Sequence, residues 1–386
     1  MNYTLTIQSW INSQILTIFS HFVVARREAT GPRQRGWKPA QNWRWLRLLT
    51  LPRTDASYWR HIILYLLLST TILHAQNPNL GSAAAQFLKI PVGARSAALG
   101  GAMTGMSTDA TALFWNPAGI AQDHSQALHF SQVPWMTYFN LTAVGYTLNL
   151  HELGTVGFHA LGLGMEKMEI TTELQPEGTG QFFDSQDIVI GASYARKLTD
   201  RFSMGFTAKY VYQRIWNETA SGIAFDVGTH YNIDFLNTSI AMSMRNFGAD
   251  LQFEGPDLLI VHDDNDLFPN RLLQASKQTE KYPLPLSFQF GLASDLIHST
   301  FFKARLGIDA VHLNDENEQI RIGLESIIAQ RFFLRGGYQF NNDVDAGSFG
   351  VGLQQRIDNT VIKLDYAYVL HKHLEDNRFL SLSLVF

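Results

Sequence analysis

The last two segments of the chain, residues 361–370 (VIKLDYAYVL) and 379–386 (FLSLSLVF), largely alternate between apolar residues and polar or small ones. In the first segment the even positions are isoleucine, leucine and tyrosine, and the odd positions include Lys363 and Asp365. Successive side chains of a β-strand point to opposite faces, so each segment predicts a strand with one apolar face. The medium that meets this face is a protein core or a lipid bilayer.

The same period of two recurs from residue 126 to the C terminus, where helical periodicity is weak. Most of the segments hold 10–14 residues, whereas strands of soluble proteins average ~5–6 residues. A tilted strand that crosses a bilayer needs ~9–11 residues, so strand length favours a membrane. We predict about fourteen strands, at residues 126–131, 139–150, 154–165, 185–198, 202–215, 221–233, 236–248, 284–296, 301–313, 318–329, 332–341, 347–357, 360–370 and 376–386.

The links between these segments alternate in length along the chain. The short set comprises 151–153, 199–201, 234–235, 297–300, 330–331 and 358–359, and the longer set comprises 132–138, 166–184, 216–220, 249–283, 314–317, 342–346 and 371–375. Tight turns at one end and long loops at the other are typical of outer-membrane barrels. We therefore predict an all-β fold, a transmembrane antiparallel β-barrel of about fourteen strands. A large soluble all-β protein is the alternative.

The charge divides the chain into two parts. The 386 residues carry a formal net charge of −4, but residues 1–75 hold nine Lys/Arg against two acids, and the remainder holds 21 against 32. A body this acidic argues against nucleic acid as a partner, because phosphate binding needs a basic patch. The absence of cysteine excludes disulfides, thiolate zinc sites and cysteine nucleophiles.

Residues 1–75 are expected to be a leader that contains a secretory signal peptide. Arg60 precedes the apolar run 62–73 (IILYLLLSTTIL), and Ala75 supplies a small residue before a cleavage point. The run is too short for a spanning helix, which needs ~20 residues. Signal peptides have ~15–30 residues, so we interpret residues 1–50 as an over-extended start or an unusual leader.

Residues 76–125 break the alternation, are rich in small residues and carry few charges. We expect this segment to fold into the barrel as an N-terminal plug, since larger barrels are often filled in this way. Its charged residues Arg95 and Asp109 are expected to pair with luminal groups. A turn in the same segment is either a hatch element that shapes an opening or a packing turn, and it consists of Asn116, Pro117, Ala118 and Gly119.

Ten charged side chains lie on the polar faces of the predicted strands, so a barrel would turn them into its lumen. We interpret them as a salt-bridge lattice that holds the plug. Charges in the lumen also count against the passage of free fatty acids, which need an apolar lining. The ten are Lys209, Asp226, Lys303, Arg305, Asp309, Arg321, Glu325, Arg335, Lys363 and Asp365.

No spacing in the chain matches a metal, cofactor or catalytic motif. The acidic run 262–266 lacks the glycine and glutamate of a calcium loop, and His371 and His373 have no third ligand nearby. We therefore expect no metal, no cofactor and no enzymatic activity. A barrel hydrolase that joins a serine and a histidine from separate strands is a further alternative.

Four short motifs carry a resemblance to a known family: 87–90 (FLKI), 93–102 (GARSAALGGA), Asp109-Ala110 and 115–119 (WNPAG). Together they resemble the N-terminal signature of the PorV/PorQ family, outer-membrane proteins linked to type IX secretion in the Bacteroidetes. The Asn-Pro-Ala element also resembles the hatch motif of the FadL long-chain fatty-acid transporters, which are fourteen-stranded barrels with an N-terminal plug.

The PorV/PorQ resemblance implies a location in the outer membrane and a role in secretion. A PorV-like protein receives secreted proteins that carry a C-terminal sorting domain and passes them to a surface attachment complex; a PorQ-like protein is connected to the same machinery. The FadL resemblance implies instead a passive transporter of hydrophobic small molecules, which is the alternative function.

Particular segments are also expected to have partners. Phe386 resembles the terminal aromatic residue that the barrel-assembly machinery recognises. The longest outer loops, 166–184 and 249–283, are where we expect proteins to dock. The expected partners are secretion-system proteins, secreted proteins with C-terminal sorting domains, outer-membrane lipid and the barrel-assembly machinery.

Overall fold

Fourteen antiparallel strands close into one barrel in the computed structural model, as the alternation predicts. The structure describes residues 79–123, 125–136, 138–263, 272–342 and 344–386. The predicted leader, residues 1–75, lies outside the described residues, as does part of the acidic run 262–266. Among the described residues, no helix is long and apolar enough to span a membrane.

Each barrel strand pairs with its neighbours in the sequence, so the topology is up-and-down. The strands are β1 (Ala127–Trp135), β2 (Phe139–Asn149), β3 (Thr155–Met165), β4 (Ser185–Lys197), β5 (Phe202–Ile215), β6 (Glu218–Ile233), β7 (Thr238–Gly248), β8 (Ser287–His298), β9 (Phe302–Leu313), β10 (Gln319–Ile328), β11 (Phe332–Phe340), β12 (Asp345–Ile357), β13 (Thr360–His371) and β14 (Asn377–Val385). β1 closes the barrel against β14, with Ala127 opposite Val385 and Gln132 opposite Leu380. Closure satisfies the backbone groups that an open sheet edge would leave exposed to lipid.

The two faces of each strand meet different surroundings. In β4, Ile190 on the outer face is 59% exposed, whereas its neighbour Val189 is 1% exposed. Phe158 and Ile223 are likewise more than half exposed on the outer face. A continuous outer band of exposed apolar side chains is what a lipid-facing wall requires.

The prediction of strictly segregated link lengths is wrong at two places. β1 continues to Trp135, so the link to β2 is residues 136–138 rather than 132–138. Pro134 does not end the strand, because beyond Gln132 the ladder of β1 continues against β2 alone and a proline is tolerated at such an edge. β6 begins at Glu218, and its link to β5 is a tight turn in which Trp216 adopts a φ of 51°.

The two longest links do lie at the same end of the barrel, which we call the outer end. The link 166–184 contains a small hairpin, Met168–Glu169 with Phe182–Phe183. The link between β7 and β8 contains two more, Leu251–Gln252 with Lys281–Tyr282 and Leu259–Asp263 with Leu272–Ser276. Short 3₁₀ turns occupy His151–Leu153, Phe235–Asn237 and Pro256–Leu258.

The segment before β1 lies inside the barrel and forms the plug. Its ordered elements are 3₁₀ turns at Gln86–Lys89, Ala110–Phe114 and Pro117–Ala121, and one short helix, α1 (Ala94–Ala98). Most plug side chains are buried, including Leu99, Met103 and Met106 at 0% exposure. The core of the molecule is thus the contact between the plug and the inner wall.

Candidate functional site: the plugged lumen and its outer vestibule

The plug sits directly on the barrel wall at inward-facing glycines. A Cβ atom at Gly205 would overlap with the backbone of Pro117, one at Gly228 with the side chain of Asn116, and one at Gly337 with the backbone of Gly100. Glycine permits this close approach because it has no side chain. The plug therefore divides the lumen into an inner cavity of about 850 Å³ and an outer cavity of about 900 Å³.

The turn at residues 116–119 is a packed joint between the plug and the wall. Asn116 is fully buried, and its Nδ2 donates hydrogen bonds to the carbonyls of Thr104 at 3.0 Å and Thr229 in β6 at 3.1 Å. Its Oδ1 accepts from the amide of Ala118 at 3.2 Å, which caps the 3₁₀ turn that starts at Pro117. A Cβ at Gly119 would overlap with the carbonyl of Ser107. Every residue of the predicted hatch motif is thus used in packing.

The plug charge Arg95 lies at the centre of an ionic network beside the inner cavity. Its Nε and Nη2 donate to Glu325 in β10 at 2.9 and 3.0 Å, and its Nη1 lies 3.5 Å from Asp109. Arg335 in β11 joins Glu325 at 2.7 Å to Asp365 in β13 at 2.6 Å. The network ties the plug to three strands of the wall.

The surroundings of Asp109 and Arg95 keep both groups charged. Burial of the carboxyl would raise the pKa of Asp109, but Arg95, Lys363 and the hydrogen bonds from Thr111 outweigh burial and hold the pKa at about 2. Burial of the guanidinium would lower the pKa of Arg95, but Glu325 and Asp109 raise it above its ordinary value.

Two further ionic clusters lie on the inner wall. Lys209 in β5 is 2.8 Å from Asp226 in β6, beside a bulge in the β6–β7 ladder where Asn246 also contacts both groups. Lys303 and Arg305 in β9 lie 3.0 and 3.7 Å from Asp295 in β8.

The remaining three of the ten predicted luminal charges, Asp309, Arg321 and Lys363, form no ion pair with a described residue. Asp309 accepts from the amide of Thr104 at 2.8 Å. Arg321 donates to Gln319 at 2.9 Å, and Lys363 lines the inner cavity. The predicted lattice is therefore divided into separate clusters.

Sequence reasoning missed several residues that complete these clusters. Asp295 follows Ser287, Gln289 and Ala293 on the inward face of β8, so the same alternation could have placed it in the lumen. Arg245 donates to the carbonyl of Phe114 at 2.7 Å and lies over the ring of Trp115 at 5.1 Å. No local pattern could have predicted the contacts of Arg245 with Phe114 and Trp115, because these residues are far from Arg245 in the chain.

A serine–histidine contact occurs at the inner end of the barrel. His129 Nδ1 lies 2.8 Å from Ser383 Oγ, and His129 Nε2 is buried without a hydrogen-bond partner among the described residues. A hydrolytic triad instead joins the nitrogen opposite the serine to an orienting acid. The contact also lies away from the outer rim, where we expect the site of a barrel hydrolase.

The outer cavity, here called the outer vestibule, is bounded by the plug segment 80–91 and by the outer ends of the strands. Lys89 fastens this segment to the β9–β10 link, with its Nζ at 3.0 Å from Asp315 and 2.6 Å from Glu316. Gln86 donates to Asp315 at 2.7 Å. The contacts form a latch between the plug and the outer end of the wall.

The C-terminal residue lies at the seam that closes the barrel. The amide of Phe386 donates to the carbonyl of Gln126 at 2.8 Å, and its side chain is 55% exposed. Its expected recognition by the assembly machinery stays a prediction.

With this geometry in place, comparison with known proteins identifies the family. The family model described as type IX secretion system protein PorV matches residues 73–255, which include the plug and β1–β7. Residues 73–255 thus belong to the PorV family. No curated protein matches the chain significantly.

Solved structures share the barrel fold. The toluene transporter TodX of Pseudomonas putida is 13% identical over 76% of this chain and 96% of its own, with a TM-score of 0.50. The CymD monoaromatic hydrocarbon channel is 11% identical over 77% of this chain and 97% of its own, with a TM-score of 0.48. A Pseudomonas aeruginosa FadL homologue is 12% identical over 77% of this chain and 98% of its own, with a TM-score of 0.47. The PorV-family chain thus has a FadL-like outer-membrane barrel fold.

Proposed function

We propose that this PorV-family barrel is a non-enzymatic protein of the outer membrane that takes part in type IX secretion or in the surface attachment of secreted proteins. Its partners are secretion-system proteins and secreted proteins with C-terminal sorting domains. The observation that carries the proposal is the seating of the plug on wall glycines such as Gly205, Gly228 and Gly337. A lumen filled in this way favours a role for the outer end over a role for the pore.

The charges of the lumen support the same proposal. Glu325 is 3% exposed and forms ion pairs with Arg95 of the plug and with Arg335 of the wall, which is 7% exposed. Moving the plug would separate buried charges, which is strongly unfavourable. A hydrophobic small molecule would also meet these charges on its way to the inner end.

The outer hairpins supply an apolar surface for protein partners. On the link 166–184, Leu174 is 94% exposed and Phe182 is 54% exposed. On the β7–β8 link, Leu259 and Val261 are 59% and 64% exposed. Apolar groups on loops that extend beyond the membrane are typical of surfaces that bind other proteins.

Affinity capture from native outer membranes, followed by mass spectrometry, tests the proposal. We expect enrichment of secretion components and of proteins with C-terminal sorting domains. A mock capture with an unrelated fourteen-stranded barrel is the control. Recovery of lipid or hydrophobic small molecules with no specific protein would reject the proposal.

The second candidate function is passive transport of hydrophobic small molecules. The fold shared with the toluene transporter TodX favours it, as does the apolar part of the outer vestibule, which includes Phe87, Leu88 and Trp135. Reconstituted liposomes test this candidate directly. Uptake of a hydrophobic probe faster than into protein-free liposomes would support it.

A further inference from the structure

The floor of the outer vestibule holds two guanidinium groups that form no ion pair with a described carboxylate. Arg245 Nη1 donates a hydrogen bond to the carbonyl of Phe114 at 2.7 Å, and Arg245 Nε is buried without a partner among the described residues. Arg321 donates from Nε and Nη2 to Gln319 at 3.3 and 2.9 Å. Both arginines line the vestibule.

The acidic groups near the two arginines are engaged by other partners, including Glu316 by Lys89 at 2.6 Å and Asp345 by Gln339 at 2.9 Å. Asp226 is held by Lys209 at 2.8 Å and by the amide of Asn246 at 2.7 Å. Asp309 accepts from the amide of Thr104 at 2.8 Å.

Arg245 lies over the Trp115 ring at 5.1 Å, and a Cβ at Gly101 would lie 3.0 Å from Arg321 Nη1 and 3.4 Å from the same ring. The two guanidinium groups are therefore neighbours and repel each other. An anion between them would relieve this repulsion and supply the missing partner.

Two neutral donors on the same floor lack partners as well. Gln289 and Ser287 in β8 are each 1% exposed, and the Gln289 Nε2 and Ser287 Oγ atoms form no hydrogen bond among the described residues. Gln289 Oε1 accepts from Thr104 Oγ1 of the plug at 2.9 Å, which leaves its amide nitrogen for another acceptor. Buried donors without acceptors are costly, so these atoms also point to an oxygen-bearing ligand.

The lining above this floor includes apolar side chains and amide side chains that can bond to a peptide backbone. The apolar side chains are Phe87, Leu88, Ile90, Trp135 and Leu163, and the amide side chains are Gln319, Gln339, Asn341 and Asn342. Four carboxylates also line the vestibule: Asp187, Asp315, Glu316 and Asp345. Asp315 and Glu316 are paired with Lys89, and Asp345 lies 2.8 Å from His371. The volume of about 900 Å³ lies in the range of ligand pockets, about 300–1,000 Å³.

We propose that the vestibule binds the C-terminal carboxylate of an extended polypeptide that enters from the outer end. The carboxylate would lie between Arg245 and Arg321, with Gln289 and Ser287 as further donors, as in other sites that capture chain termini. Apolar side chains of the peptide would face Trp135 and the plug. This inference rests on the proposed function, since it makes the chain end of a secreted protein the bound group.

Fluorescence anisotropy with the purified full-length barrel in detergent tests the inference. The probe is a fluorescein-labelled decapeptide of alternating valine and threonine with a free C-terminal carboxylate, and its C-terminal amide is the matched ligand. We expect the acid to bind about tenfold or more tightly than the amide, because charge-assisted hydrogen bonds are the strong ones. Both peptides are compared on the unaltered protein, so this test does not depend on whether a variant folds.

Two variants locate the site. Arg321→Gln and Gln289→Leu should each reduce or abolish the difference between acid and amide. Arg378→Gln, which changes an exposed arginine of β14, should leave it intact. Heat-dependent migration on SDS gels checks that each variant is folded.

Three results would overturn the inference: equal binding of acid and amide, an unchanged difference in folded Arg321→Gln, or binding of decanoate without binding of the peptide. The last result would assign the floor to a free fatty acid. If acid and amide bind alike while the barrel still captures secreted proteins from membranes, the inference fails and the proposed function stands.

Discussion

Single inward-facing residues determine how the plug is held. Asn116 contacts the carbonyl of Thr229, and Arg95 contacts Glu325, across separations of more than one hundred residues. The sequence predicts a turn at the first position and a luminal pairing at the second. It could not predict the partners, because these contacts depend on the register of the closed barrel and not on local pattern.

Enlarging a seating glycine should disturb the plug. In Gly205→Ala the new methyl group would overlap with the backbone of Pro117, so we expect a loss of about 1–3 kcal/mol in unfolding free energy. Gly164→Ala is the matched control, because a Cβ at Gly164 has no atom within 4 Å. Guanidinium unfolding in detergent micelles measures both. Equal effects of the two substitutions would contradict the seating.

Neutralising Glu325 should be far more damaging than neutralising an exposed pair. Glu325→Gln leaves Arg95 and Arg335 buried with less compensation, and we expect a loss of roughly 3–5 kcal/mol. Arg201→Gln, which breaks the exposed pair with Asp234, should cost about 0–1 kcal/mol. The same unfolding assay compares them, and similar losses would show that the network does not hold the plug.

The ionisation of Asp109 predicts how the stability of the folded protein depends on pH. The folded pKa of Asp109, about 2, lies below the usual value of about 3.9, so its ionised form stabilises the fold at pH above about 4. This contribution disappears as the pH falls through about 2. The stability difference between wild type and Asp109→Asn should therefore shrink steadily between pH about 5 and about 2. A difference that does not change with pH would contradict the assignment.

At the scale of elements, the strands were largely predictable and the links were not. Alternation with period two is a local feature of the sequence, and a lipid-facing surface requires it in every strand. All fourteen strands could therefore be predicted from the sequence. Strand ends depend on exceptions such as Pro134 at an unpaired edge and Trp216 in the left-handed region. Predicted ends at such residues are therefore wrong by several positions.

The latch of the plug is an element-scale feature that proteolysis can test. Lys89→Gln removes the cation between Asp315 and Glu316, and we expect faster cleavage within residues 80–91 in folded barrels. Lys277→Gln, at an exposed lysine of the β7–β8 link, is the control. Unchanged cleavage of the plug segment would show that Lys89 does not fasten it.

At the scale of the whole molecule, the plugged part of the barrel and its outer end have different structures. The plug closes the middle of the barrel, and the outer end carries a vestibule with apolar hairpins. Alternation and the PorV/PorQ signature predict this division in outline. The depth of the vestibule and its two arginines without acidic partners emerge only when the plug is seated in the closed barrel.

Quantitative mass spectrometry of proteins captured from native outer membranes tests the account most directly when intact and shortened barrels are compared. The shortened variant replaces residues 256–278 with Gly-Ser. Two residues can close the gap because Thr279 already contacts Phe253 and Gln252. The variant also retains Leu251, which is buried. Gln274→Ser, opposite Val261 on the same hairpin, is the matched control.

We predict that the intact barrel and Gln274→Ser capture secretion components and sorting-domain proteins, and that the shortened barrel folds but loses them. Equal capture by the intact and shortened barrels, or capture of no specific protein by the intact barrel, would contradict the account.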